Sequence, residues 1–154
     1  MFNHRAASIT RLFLFAALFS LGPVARIKAA DSPKLAPADG EALGAAAVRW
    51  LETLDAGKYA ENFAAASATF RKDLTAESWA RNHASMKQQF GAVVSRDDDV
   101  SLKTKTTQTD GQDVVTYTLQ IKTQFEKKTG LEKLTMEKDS GEWKVADYSI
   151  ETQL

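Results

Sequence analysis

A carboxylate and a phenol could together carry proton transfer in this chain, and Asp147 with Tyr117 could supply that pair. Inside an apolar pocket, burial raises a carboxylate's pKa toward the range of a general base, and a tyrosine can work beside it. Such a pair, with Asp147 facing inward, would suit a lyase or isomerase acting on a small molecule. One carboxylate is not a constellation, however, and no further residue joins it. His83 is the only histidine beyond the N-terminal leader, and the chain has no cysteine. Nitrogen and sulfur metal sites therefore lack ligands, and His83 reads as a helix boundary residue. Asp97-Asp98-Asp99 offers oxygens of the kind calcium prefers, but not the spaced ligands and glycine of an EF-hand loop. It reads as a solvated turn before a strand. There is no glycine-rich phosphate loop and no Gly-x-Ser-x-Gly elbow, so neither a metal nor a cofactor is expected.

The aromatic residues suggest binding more than chemistry. Trp50, Tyr59, Trp79, Phe90 and Trp143 are expected to converge between helices and sheet. The pocket-lining candidates are Trp50, Tyr59, Trp79, Tyr117 and Asp147. They would either fill the core or line a cavity for a small apolar ligand. A protein partner on the open sheet face or an edge strand is the other non-catalytic option, since an unpaired edge is a template for pairing. The leading expectation is thus a small-ligand-binding or protein-interaction module.

The elements that must position these residues follow from periodicity. Asp39 is a plausible N-cap, and Leu43, Ala47, Trp50, Leu51 and Leu54 then form one apolar helical stripe. Gly57 ends that helix. Tyr59, Phe63 and Ala66 mark a shorter helix that closes around Phe70. Thr75 opens a third, with Trp79, His83, Met86 and Phe90 on one face and Gly91 as its stop. From Val93 the pattern alternates. Val100, Leu102, Thr104 and Thr106 share one face of a strand, and Asp110-Gly111 turns into the run from Val115 to Phe125. Turns near Gly130 and at Ser140-Gly141 complete a four-stranded antiparallel meander, because the links are too short for parallel crossovers. Lys103, Lys105 and Lys122 belong to its outer face. The last strand is out of phase with itself: Trp143 and Val145 share one face, Tyr148 and Ile150 the other. Burying both pairs requires an extra residue, a β-bulge, near Ala146 or Asp147. The expected class is α+β, with N-terminal helices packed on a curved four-stranded sheet.

The first thirty residues serve another purpose. Arg5 and Arg11 precede an apolar run, Leu12 to Leu21, that ends at Gly22-Pro23. This is the pattern of a signal peptide, and the run is about half the 20 residues a membrane span needs. Cleavage is expected after Ala25 or Ala29, giving a signal peptide over 1–29, a short mobile leader over 30–38 and one domain over 39–154. The product would be periplasmic or secreted, with no stable membrane anchor. The 20 basic and 20 acidic residues of the full chain then become 16 against 20, a net charge of −4. That balance gives no electrostatic reason to bind nucleic acid. Without disulfides, the domain must be held by its hydrophobic core.

Several stretches resemble a known family. Trp50, Leu51, Asp55, Gly57 and Tyr59 form one such stretch, and Ala66, Ser67 and Phe70 another. Trp79 and the helix exit Phe90-Gly91-x-Val93-x-Ser95-Arg96 follow. Thr123-x-Phe125, Glu132 with Leu134 and Met136, and Trp143-Lys144-Val145-Ala146-x-Tyr148 complete the set. In these positions the chain resembles the exported bacterial proteins of the domain of unknown function 4019 family. It departs at Phe63, Lys87 and Asp147, where the family tends to have Trp, Arg and Gly. Lysine at 87 weakens any role that needs a planar bidentate donor. The helix-and-sheet arrangement is also similar to the cystatin-like, nuclear-transport-factor-like cone, a fold that hosts enzymes, binders and interaction modules alike.

Overall fold

The computed structural model describes residues 35–109 and 111–152. The signal-peptide reading and most of the expected leader fall outside these residues.

Helix α1 spans Pro37–Asp55, with proline in the first turn, where a missing N–H costs nothing. Its N-cap is Ala36, which makes no side-chain cap, so the expected capping role of Asp39 is not realised. Asp39 lies inside the first turn, where its charge complements the helix dipole, and pairs with Lys138 at 2.8 Å. The predicted stripe is the buried face: Leu43, Ala47, Trp50, Leu51 and Leu54. Helix α2 covers Tyr59–Ala65 and the single turn α3 covers Ala68–Arg71. The kink between them is set by Ser67, whose hydroxyl accepts from the Phe70 N–H. Helix α4, Ala76–Phe90, starts on a capping box in which Thr75 and Ser78 satisfy each other's backbone N–H. It ends at Gly91, whose φ of 83° lies in the left-handed region.

Five strands follow rather than four: β1 (Val93–Arg96), β2 (Ser101–Thr109), β3 (Gln112–Phe125), β4 (Thr129–Asp139) and β5 (Glu142–Thr152). All pairings are antiparallel. The additional strand arises because β1 and β2 share one edge of β3. Arg96 faces Thr123 and Ser101 faces Gln120, so four residues on the edge span only two on β3. The aspartates at 97–99 occupy that break and are exposed. Strands β3, β4 and β5 then run side by side, leaving β5 as the opposite edge. The bulge expected in the last strand is present: Met136 faces Val145 and Thr135 faces Asp147, leaving Ala146 as the extra residue. This shift lets Val145 and Tyr148 both face the core.

The helices cover one face of the curved sheet. Trp50, Phe70, Trp79 and Tyr148 form the centre of the core, with neighbouring ring centroids 5.1–6.0 Å apart. Tilted and edge-on pairs at such distances each add about 0.5–1.5 kcal/mol beyond burial. One polar residue, Asn62, joins the helices there. Its amide donates to the Trp50 carbonyl, and its side-chain oxygen accepts from the Trp79 indole at 2.9 Å. The Trp50 indole closes the loop by donating to the Asn62 carbonyl. The outer face is polar, and Lys103, Lys105 and Lys122 are exposed on it.

Candidate functional site

The inner face of the sheet carries a charged side chain in its most protected row. Glu132 lies on β4 in phase with Leu134 and Met136, and all three are 0% exposed. A carboxylate taken out of water must have its oxygens satisfied. Four donors do so. Arg96, the last residue of β1, gives Nε at 2.7 Å and Nη2 at 3.1 Å. Thr123 on β3 donates its hydroxyl at 2.5 Å, and Tyr148 on β5 its phenol at 2.7 Å. Each carboxylate oxygen accepts two bonds, which fills the acceptor capacity of the group.

Arg96 in turn grips Asp55, the last residue of α1, through two nitrogens at 2.6 and 3.0 Å. Side-chain exposure rises outward along this chain, from 0% at Glu132 to 21% at Arg96 and 35% at Asp55. Burial by itself would lower the Arg96 pKa, but the hydrogen bonds to Asp55 and Glu132 outweigh it and raise the value further. For Tyr148, burial pushes the phenol well above its ordinary range, and the neighbouring Glu132 charge adds to the rise. The Glu132–Tyr148 contact therefore has the composition of a proton-transfer pair but not its poise. The carboxylate has no free lone pair and the phenol holds its proton. The geometry ties α1 to β1, β3, β4 and β5.

A small cleft of about 170 Å³ adjoins this cluster, walled by Leu54, Met86, Phe90 and Phe125. His83 lines it and stacks beside Tyr59 and Trp79 at 5.0 and 5.9 Å. Its Nδ1 is buried with no hydrogen-bond partner among the described residues. Burial lowers its pKa, with Asp55 opposing and Lys87 assisting. Among the described residues no group of three or more acidic, histidine or cysteine side chains could hold a metal ion.

A larger open cleft, about 500 Å³, runs between the helices and β5, the edge strand among the described residues. Phe70, Leu74, Trp79, Met86, Tyr148 and Ile150 supply apolar lining. One long side of it is the unbroken run Ala146 to Ile150. The Val145 carbonyl accepts from the Ser67 N–H at 2.9 Å, so it points away from β4. Beyond the bulge, antiparallel alternation gives the outward N–H and C=O groups to Tyr148 and Ile150.

The five sequence candidates do not share one pocket. Trp79 and Asp147 line the large cleft. Trp50 is buried in the aromatic centre, and Tyr117 is buried against Trp143 at 5.5 Å. Tyr59 is half-buried beside His83. Asp147 is exposed, because the bulge leaves it opposite Thr135 on the outer phase, so the condition for pairing it with Tyr117 is not met. Sequence reasoning missed the Glu132 cluster as a unit, although Asp55, Arg96, Thr123, Glu132 and Tyr148 all fall within the stretches of family resemblance. The available signal was Glu132 sitting in phase with two apolar strand residues.

No curated protein and no solved structure matches the chain. A family model does, over residues 46–148, from the middle of α1 to Tyr148 in β5. That span includes every member of the Glu132 cluster, and the chain belongs to the family described as protein of unknown function (DUF4019).

Proposed function

We propose that this protein is an exported, non-catalytic recognition module that takes up an extended segment of a partner protein along β5. The observation that carries this reading is the large cleft, which pairs a strand edge that no other described strand adjoins with an aromatic floor. An added strand would gain main-chain hydrogen bonds from Tyr148 and Ile150, while alternate side chains would contact Phe70, Trp79 and Met86. A cone of the cystatin-like, nuclear-transport-factor-like kind is the architecture we infer, supported by helices on a curved sheet and a bulged edge strand. Action in the periplasm or outside the cell follows from the signal-peptide pattern of the first 29 residues.

The two other readings have weaker support. An enclosed cavity for a small apolar ligand would need space where the core aromatics already touch. A lyase or isomerase would need a base with a free lone pair, and Glu132 has none.

The test is selection of phage-displayed octapeptides against the protein, followed by hydrogen exchange on the complex of a selected peptide made synthetically. We expect the amides of Tyr148 and Ile150 to exchange fast in the free protein and to become protected in the complex. Failure to select any peptide, or protection confined to other elements, would overturn the reading.

A further inference from the structure

We infer that the segment this cleft accepts is cationic, carrying lysine or arginine beside a large apolar side chain; this rests on the strand-addition reading above. Among the described residues, the only charged ones that line the cleft are Asp73 and Asp147. No lysine, arginine or histidine lines it, and neither aspartate enters an ion pair or hydrogen bond among the described residues. Two unpaired carboxylates flank the β5 edge, Asp73 on the helix side and Asp147 on the outer phase, and together they create a field that attracts positive charge and repels negative charge. Anionic partners such as nucleic acid or an acidic lipid surface are disfavoured for the same reason.

The cleft also has a direction. Asp147 sits at the bulge end, whereas Ile150 lies three residues further along β5. Three strand residues cover roughly 10 Å, at about 3.3 Å each. A bound segment would therefore place its basic residue beside Asp147 on the outer face and its apolar residue beside Ile150 on the inner face, three positions apart. A second copy of this chain is a poor occupant. Pairing β5 with another β5 would bring two sets of Asp147 and Glu151 together, and like charges across a strand pair destabilise it.

Amide-resolved NMR titration of the protein with three synthetic octapeptides tests the inference. Each is acetylated and amidated, and each alternates valine with lysine, serine or glutamate. The lysine peptide should shift the Tyr148 and Ile150 amides and bind about tenfold more tightly than the serine peptide, as expected for two exposed charge contacts. The glutamate peptide should bind most weakly. Asp73→Asn combined with Asp147→Asn should bring the lysine peptide to the serine peptide's affinity, and added salt should narrow the same gap. Equal binding of lysine and serine peptides at β5 would overturn the charge preference and leave strand addition standing. Absence of shifts along β5 with all three peptides would overturn both.

Discussion

At the scale of single residues, the decisive side chain is Glu132. It is fully buried and charged, and it is tolerable only because Arg96, Thr123 and Tyr148 fill its lone pairs. Removing it leaves the part-buried Arg96 guanidinium held by Asp55 alone and the Tyr148 hydroxyl without its acceptor. Glu132→Ala is expected to cost about 3–5 kcal/mol, the range for breaking one side of a buried pair. Urea unfolding checks this through the midpoint at unchanged slope, and a cost below about 1 kcal/mol would refute the structural tie. His83 supplies a pH signature. Burial chiefly holds its pKa below the ordinary 6.5, with Lys87 assisting and Asp55 and Glu132 opposing. As the pH falls, the unfolded chain takes up that proton first, so stability declines from about pH 6.5 downward. His83→Phe should flatten that decline when urea midpoints are compared at about pH 7.5 and pH 5.5. An unchanged slope would mean that the folded state does not disfavour imidazole protonation. Asn62 illustrates why composition misleads at this scale. It lies three residues after Tyr59 on the inward side of α2, yet an amide looks like a surface residue until two tryptophans are placed around it.

At the scale of elements, local rules carried far because each was backed by a specific residue. Thr75, Gly57 and Gly91 bound their helices as capping and left-handed glycine geometry require. The phase conflict between Val145 and Tyr148 was enough to place the bulge. The N-terminus of α1 lies three residues before the one that Asp39 suggests, because proline at the first helical position takes the place of a side-chain cap. Strand β1 was not anticipated as a separate element, since four residues after a helix stop give too little alternation to count. Gly130 supplies a further element-scale prediction. A Cβ there would lie 2.8 Å from Ile150 and 3.1 Å from the Phe125 and Phe90 rings, which already pack at 5.2 Å. Gly130→Ala should therefore destabilise by about 1–3 kcal/mol through overpacking at the β4–β5 and α4 junction. Thermal or urea unfolding measures it, and a neutral result would show that these rings can give way.

At the scale of the whole molecule, the sequence by itself determined the α+β class, the helix-then-meander order, the faces of the long strands and the family. These properties are written in periods of 3.6 and 2, in turn residues and in short stretches of residue identity, all of which are local along the chain. Only the tertiary structure decided which distant residues meet. Asp55, Arg96, Thr123, Glu132 and Tyr148 come from five elements, and their union depends on strand order and register. The same holds for the cleft, which exists because β5 is an edge strand and α3 and α4 wall it beyond the bulge. Trp50, Tyr59, Trp79, Tyr117 and Asp147 were chosen by residue type, but burial is a property of packing. Packing sent Trp50 and Tyr117 inward, left Asp147 in solvent and kept Trp79 at the boundary between core and cleft.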